Sequence, residues 1–157
     1  MTKELQEYLQ SVQVCLTQCE DMLEKEQEKR RALLGRDMTT LEKVMGDQQA
    51  NMMQLERIER QRLQAQKKAG YGELSAREVL EKIPEGEDRV QAEALFSKLR
   101  GTAMQLQALN QEAMDIAQNE LQFYEQYGAI ERRNTQSPTY RPGQNKRTDW
   151  SSFEQKI

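Results

Sequence analysis

Histidine and cysteine, two residue types that often carry enzyme chemistry, are absent or scarce in this chain of 157 residues. Histidine, the commonest general base and a frequent metal ligand, is absent. Cys15 and Cys19 are the only cysteines, and without histidine they lack the partners that a zinc site needs. Four residues apart on a helix, they would share one face, with Cys19 on its apolar side. We therefore expect two reduced thiols that are buried or half-buried and serve as packing groups.

The glycine and carboxylate patterns do not indicate an enzyme either. The Gly-Tyr-Gly stretch at residues 70–72 lacks the third glycine and the preceding strand of a dinucleotide-binding loop. Carboxylates such as Glu24, Glu26 and Glu28 recur at spacings typical of a solvated helix surface. The sequence therefore predicts a protein with no enzymatic activity, no cofactor and no metal site.

The composition favours long amphipathic helices over a thick globular core. Charged residues make up 31% of the chain, apolar residues 36% and aromatic residues only 6%, which suits thin apolar seams between charged outer faces. The net charge is −3, and residues 129–157 carry six bases and three acids, so residues 1–128 carry −6. An acidic body argues against a nucleic-acid-binding domain, which needs a basic face.

The hydropathy pattern predicts a cytoplasmic protein that does not insert into a membrane. No run approaches the roughly 18 apolar residues of a membrane span. The polar N-terminus leads directly into a helical pattern, so no signal peptide is expected.

Apolar residues that alternate at spacings of three and four predict two long helices joined as a hairpin. The first is expected at residues 3–34, ended by Gly35 in the C′ position; its seam is Leu5, Leu9, Val12, Leu16, Cys19 and Leu23. The second is expected from an N-cap at Asp37 to about Ala69, before Gly70; its seam is Leu41, Val44, Met45, Gln48, Met52, Leu55, Ile58 and Leu63. Matched lengths and a short connection predict antiparallel packing.

Two further helices are expected before residue 128. Ser75 and Glu78 have the spacing of a capping box, which predicts a short connecting helix that runs to about Ile83. A third long helix is expected from Glu87 or Asp88 to Gly128, about 60 Å long and able to extend past the hairpin. Its predicted seam is Ala92, Leu95, Leu99, Thr102, Leu106, Leu109, Ala113, Ile116, Glu120, Phe123 and Tyr127.

The chain is therefore expected to be all-α, with a helical bundle domain at residues 1–128 and a basic C-terminal tail at residues 129–157. The tail begins with a polar, turn-rich linker that we expect to be mobile. Trp150, Phe153 and Ile157 follow at spacings of three and four after Asp149, a natural N-cap. Such a segment is too short to be a stable helix alone, but it could fold against the apolar groove of a partner.

Two features of the helices admit more than one interpretation. Met45 and Met52 are one heptad apart, close to Met38 and Met53, so the group could belong to the core or form an adaptable surface for a partner helix. Asn110 lies among apolar seam residues. It could face solvent or make a polar contact that fixes the register of the helices.

Three stretches carry a resemblance to a known family. The first is Leu-Leu-Gly-Arg-Asp-Met-Thr-Thr-Leu at residues 33–41, at the predicted turn of the hairpin. The second is Leu106 and Asn110 followed by Leu-Gln-Phe-Tyr at residues 121–124, and the third is Ser-Pro-Thr-Tyr-Arg-Pro-Gly at residues 137–143. Together with the helical layout, these stretches resemble the FlgN-type flagellar export chaperones.

The resemblance implies a function and a set of binding residues. Such chaperones hold the hook-filament junction proteins, also called hook-associated proteins, in the cytoplasm. They cover the aggregation-prone helical ends of these proteins and deliver them to the type III export gate. In the family the tail becomes helical as it binds cargo. This implies that Trp150, Phe153 and Ile157 are cargo anchors and that Tyr140 is a secondary contact, to the gate.

Two other interpretations remain open at the level of sequence. The chain could be a structural coiled-coil subunit or adaptor that self-assembles through the third long helix. It could also be an adaptor whose basic tail meets nucleic acid or an anionic membrane, which predicts binding that weakens steeply with salt. A homodimer is possible under either the chaperone or the coiled-coil interpretation.

Overall fold

The structure is a computed structural model that describes residues 1–127, and its four elements are all α-helices. They are α1 (Lys3–Leu34), α2 (Met38–Lys68), α3 (Ala76–Lys82) and α4 (Glu87–Tyr127). The predictions of an all-α fold, a long hairpin, a short connecting helix and a third long helix are confirmed. The predicted tail at residues 129–157 lies outside the described residues, so the domain boundary stays a prediction.

The turn between α1 and α2 differs by one residue from the prediction. Gly35 is the C-cap of α1 with φ −86°, and Arg36 is the residue that takes the left-handed conformation, with φ 54°. The amides of Arg36 and Asp37 donate to carbonyl groups of the last turn of α1, which makes a Schellman motif. A Cβ atom at position 35 would lie 3.2 Å from the carbonyl oxygen of Arg31. Glycine therefore suits this position because the backbone passes close by, and not because of its φ.

The other helix ends follow the predicted capping chemistry. The side chain of Asp37 accepts a hydrogen bond from the amide of Thr40 and begins α2. α2 ends one residue before Ala69, with Gly70 at φ 90°. Ser75 and Glu78 form the complete capping box of α3, in which each side chain bonds to the backbone amide of the other residue.

Ion pairs define how the helices run relative to α1. At one end of the hairpin Lys68 pairs with Glu7 at 3.2 Å, and nearer the turn Lys25 pairs with Asp47 at 3.3 Å, so α2 is antiparallel to α1. The pairing of α4 is parallel to α1, with ion pairs between the N-terminal amino group and Asp88, between Arg30 and Glu112, and between Arg36 and Glu120. α1 packs extensively against both α2 and α4. It is therefore the central helix of the bundle.

The buried apolar side chains form two separate clusters. The larger one, the proximal core, uses all four helices and contains Leu5, Tyr8, Leu9, Val12, Cys15, Leu16, Cys19, Met22, Leu55, Ile58, Ala76, Val79, Ile83, Ala92, Phe96, Leu99, Ala103 and Leu106. The smaller one, the distal core, lies near the α1–α2 turn and contains Ala32, Leu33, Leu41, Ala113 and Ala117. α1 buries more than its predicted seam because it has a neighbour on two sides.

α4 buries four positions of its predicted seam, Ala92, Leu99, Leu106 and Ala113, but the buried positions between them are shifted by one residue. The predicted positions Leu95, Thr102, Leu109 and Ile116 are only half-buried, and Phe123 is exposed. The most buried line is Ala92, Phe96, Leu99, Ala103, Leu106, Asn110, Ala113, Met114 and Ala117. Four of these are alanines, of which Ala103 and Ala117 are at shifted positions, and small side chains let α4 pack closely on α1.

Candidate functional site

The residues predicted to bind partners, Tyr140, Trp150, Phe153 and Ile157, all lie outside the described residues. Residues 1–127 form the helical bundle that the structure describes. In that part of the chain no group of three or more His, Cys, Asp or Glu residues is arranged to hold a metal ion. None of the helices from α1 to α4 is both long and apolar enough to cross a membrane.

Both cysteines are free thiols in the proximal core, as the sequence predicted. Each has a relative exposure of 0%. Burial, with a further contribution from the negative charge of Glu59, raises the pKa of Cys15 and of Cys19 to about 12. Cys15 Sγ lies 3.9 Å from Glu59 Oε2, to which the thiol can donate. The thiols are therefore neutral packing groups and not nucleophiles.

We expect the protein to lose stability in alkaline solution. In the unfolded chain each thiol ionises near its ordinary pKa of 9.0, but in the fold it stays neutral until about 12. The raised pKa therefore contributes stability that is fully present below pH 9 and is lost as the pH rises toward 12. The loss is about 1.4 kcal/mol per pH unit for each thiol. Urea unfolding at several pH values between 8 and about 11 measures this slope.

A variant without the thiols isolates their contribution to that slope. Cys15→Ala with Cys19→Ala is expected to lower stability at neutral pH through the lost packing. It should also make the alkaline decline shallower than in the parent protein. An unchanged slope in the variant would show that other groups cause the decline, with Tyr8 the next candidate because burial raises its pKa to about 12.

A buried network of polar side chains connects α1 and α2 inside the proximal core, and the sequence analysis missed it. Arg62 donates from Nε and Nη2 to the two oxygens of Glu59, at 2.8 and 2.6 Å. It also donates from Nη1 to Gln66 Oε1 at 3.1 Å. The hydroxyl of Tyr8 donates to the same oxygen, also at 3.1 Å. Gln66 Nε2 donates to the carbonyl of Leu74 at 2.7 Å, so the network also fixes the loop before α3.

The electrostatics of this network are those of a closed ion pair. Burial alone would lower the pKa of Arg62, but the hydrogen bonds and charge of Glu59 outweigh it and the pKa is raised. Arg62 is 2% exposed and binds the carboxylate of Glu59 with both prongs of its guanidinium group. All of its hydrogen bonds are internal, so we interpret the network as structural.

A second polar network, which we name the polar layer, separates the two cores. It consists of Glu26, Lys29, Gln48 and Asn110. Lys29 Nζ donates to Glu26 Oε1 and to Asn110 Oδ1, each at 3.1 Å, and Gln48 Nε2 donates to Glu26 Oε1 at 2.7 Å. On α1 the layer lies between Met22 of the proximal core and Ala32 of the distal core.

The polar layer answers the question that the sequence left open for Asn110. Its side chain is buried, with 7% relative exposure, and it accepts a hydrogen bond from a lysine of α1. Asn110 therefore makes an interhelical polar contact and does not face solvent. A single buried polar contact of this kind fixes how two helices align along their length.

The methionines divide between core and surface. Met52 packs against the proximal core and Met45 against the distal core, and both are partly buried. The interpretation of these two as core residues is confirmed. Met38 and Met53 are 47% and 68% exposed, so they are surface residues.

Five of the large apolar residues that are exposed within residues 1–127 lie at the turn end of the bundle. Arg36 in the turn pairs with Glu120 at 3.2 Å and lies 5.8 Å from the ring centroid of Phe123. The last seven residues of α4 therefore extend about 10 Å past the turn, as the predicted length allowed. Five apolar residues at this end, which we name the distal apolar surface, are Leu34, Met38, Leu121, Phe123 and Tyr124.

Part of the distal apolar surface continues a line that is buried elsewhere on α4. Met114 and Ala117 are buried, and Leu121 and Tyr124 follow them at spacings of four and three. These positions share one face of the helix. Leu121 and Tyr124 are nevertheless 43% and 40% exposed, because α1 has already ended at Leu34. A core-like face that no other helix within residues 1–127 covers is typical of a binding site for a partner helix.

The comparison with protein families agrees with this arrangement. The model of the FlgN protein family matches residues 1–148, which is most of the 157-residue chain. The sequence has no significant match among curated proteins and none among solved structures. The family match covers all four helices and both polar networks. The chain therefore belongs to the FlgN family of flagellar export chaperones, the family that its sequence resembles.

Proposed function

We propose that this protein is a cytoplasmic type III export chaperone for the hook-filament junction proteins of the flagellum. It binds the helical ends of these proteins, prevents their aggregation and delivers them to the export gate. Membership of a family of export chaperones, which is not a family of enzymes, supports the general role. The choice of cargo and the delivery step are our proposal.

The observation that carries the proposal is the exposed end of α4. Leu121 and Tyr124 lie on the face that packs against α1 elsewhere in the bundle. An amphipathic helix of the cargo can lie along this face in the position that α1 occupies before it ends at Leu34. Such binding would bury apolar surface on the chaperone and on the cargo together.

The tail supplies the second part of the proposed binding site. Trp150, Phe153 and Ile157 share one face if Asp149–Ile157 is helical, and large aromatic side chains dominate the energy of most interfaces. We propose that these three residues bind the cargo helix from the side opposite α4. Tyr140 is proposed to contact the export gate.

We expect the loss of the tail anchors to weaken cargo binding without affecting the bundle. Trp150→Ala with Phe153→Ala should reduce affinity for a junction protein by about 30-fold or more, the loss of one hot-spot side chain or more. The bundle itself should stay folded, because neither residue belongs to the described cores. Titration of the full-length chaperone with purified junction protein measures the affinity.

Two controls make the result specific to the anchors. Ser152→Ala with Gln155→Ala alters the opposite face of the same predicted helix and should leave affinity unchanged. A chain that ends after Gln136 should fail to co-purify with the junction proteins of its host. Equal capture by the truncated and full-length chains would assign cargo binding to the helices alone. Capture by neither chain would leave self-assembly through α4 as the better interpretation.

A further inference from the structure

We propose that residues Asp149–Ile157 of the same chain cover the distal apolar surface while no cargo is bound. This inference rests on the proposed function and adds a regulatory step to it. The anchors for cargo would then be released when the helical end of a cargo protein displaces them from α4. The free chaperone would thereby hide both of its apolar binding elements at once.

The first argument is the shape of the surface that must be covered. Leu121 and Tyr124 continue the buried face of α4, and the ring of Phe123 lies beside them, 49% exposed. Phe123 and Tyr124 meet edge to face, with ring centroids 6.2 Å apart, so the aromatic groups form one patch. A segment that presents an indole, a phenyl ring and an isoleucine along one side is complementary to this patch.

The second argument is charge. From residue 101 to residue 127, α4 contains four acids, Glu112, Asp115, Glu120 and Glu125, and no lysine or arginine. Its last turn has no basic residue, whereas the last turns of α1, α2 and α3 each have at least one. Residues 129–148 contain five bases and one acid. Glu112 and Glu120 pair with Arg30 and Arg36. The attraction of the basic linker to this end of α4 therefore comes from Asp115, Glu125 and the negative end of the helix dipole.

The third argument is the length of the connection. The tail leaves the bundle at the distal apolar surface itself, because α4 ends at Tyr127. A connection of 21 residues, from 128 to 148, has a typical end-to-end distance of about 25 Å if it behaves as a random coil. The exposed part of α4 is about 10 Å long. The linker can therefore return the segment to its own helix, at an effective concentration of the order of millimolar.

This tether favours the chain's own segment over a second copy of the protein. An intermolecular partner must overcome the loss of translational and rotational freedom, which the covalent connection has largely removed. A cargo helix can still compete, because it offers a longer apolar face than nine residues of tail. The exchange is therefore reversible and depends on cargo concentration.

Trp150 makes the proposal directly measurable, because it is the only tryptophan of the chain. We expect the free full-length chaperone to show Trp150 emission that is blue-shifted relative to a peptide of residues 137–157. Leu121→Glu with Tyr124→Glu should abolish the blue shift and increase quenching by acrylamide. Met104→Glu is the matched control, since Met104 is an exposed apolar residue of α4 outside the distal apolar surface. It should leave the emission unchanged.

Each outcome decides the question without any cargo present. A blue shift that is independent of protein concentration, lost in the double variant and kept in Met104→Glu, supports the proposal. Emission of the free chaperone equal to that of the peptide would overturn it. A blue shift that grows with protein concentration would assign the surface to a second copy, and one that survives the double variant would place the segment elsewhere. The co-purification experiment tests the chaperone role separately.

Discussion

Replacing Arg62 with methionine is expected to lower the free energy of unfolding by about 3–5 kcal/mol, the usual cost of breaking a buried ion pair. The change leaves the carboxylate of Glu59 inside the proximal core without its two strongest donors. Gln66 loses a donor as well. Since small domains are stable by only about 5–15 kcal/mol, the variant should unfold at a much lower urea concentration. Circular dichroism of the purified variants measures this directly.

Two companion variants separate the ion pair from the loss of a long side chain. Arg60→Met, which alters an exposed arginine of the same helix, should change stability by less than about 0.5 kcal/mol. Glu59→Leu combined with Arg62→Met should be more stable than Arg62→Met alone, because it removes the unpaired charge. If Arg62→Met and Arg60→Met were equally stable, the buried pair would have no structural role.

Replacing Lys29 with methionine is expected to have an effect of similar size, about 3–5 kcal/mol. Lys29 is 1% exposed and is the only cation of the polar layer. Its loss leaves Glu26 Oε1 with one donor, from Gln48. The other oxygen, Glu26 Oε2, has no hydrogen-bond partner within residues 1–127 even in the parent protein. It also leaves the carbonyl group of Asn110 without its lysine donor. Urea unfolding of the variant against the parent protein provides the measurement.

The matched control is Arg31→Met, since Arg31 is an exposed basic residue two positions away on α1. It is expected to be nearly neutral. A layer without charged side chains, made by Glu26→Leu, Lys29→Met and Asn110→Leu together, should regain the lost stability because no charge is left unpaired. Gln48 remains in this variant but is only half-buried, so water can satisfy its amide. A triple variant as unstable as Lys29→Met would mean that packing, and not charge, limits this part of the bundle.

The helix ends were predictable because capping chemistry is local. Asp37, Ser75 and Gly70 each act within four residues of their own position, and such signals can be identified without knowledge of the tertiary fold. The misplacement of the C′ residue at Gly35 had a local cause too. Sequence preference favours glycine in the left-handed conformation, but here the close approach of the Arg31 carbonyl favours it one residue earlier.

The buried networks were harder to predict because they depend on which faces meet. In α2 the predicted seam stepped five residues, from Ile58 to Leu63. The buried face continues from Leu55 through Glu59, Arg62 and Gln66, at spacings of four, three and four. Regular spacing along α2 thus indicated the polar residues Glu59, Arg62 and Gln66. The prediction chose Leu63 because it favoured apolar residues for the core. A break in the three-and-four rhythm is therefore a signal that a polar residue occupies the core.

The seam of α4 shows a second limit of one-dimensional patterns. Two lines of mostly apolar residues run along this helix, and both satisfy the spacing rule. They share Ala92, Leu99, Leu106 and Ala113 and differ by one position in between, for example Leu95 in one and Phe96 in the other. Only the packing of α1 decides between them, and it selects the line with more alanines. Which line forms the core is therefore a property of the helix pair and not of α4 alone.

The central position of α1 also sets an order of events during synthesis. α1 and α2 can pair once Lys68 has left the ribosome, but the face of α1 that receives α4 is not fully covered until Glu120 follows, 52 residues later (120 minus 68). At the usual translation rate this interval is roughly 3–10 s, far longer than helix formation requires. For those seconds the nascent chain is a hairpin with one exposed apolar stripe. The long final helix thus both completes the fold and ends the period in which the new protein is most open to mispairing.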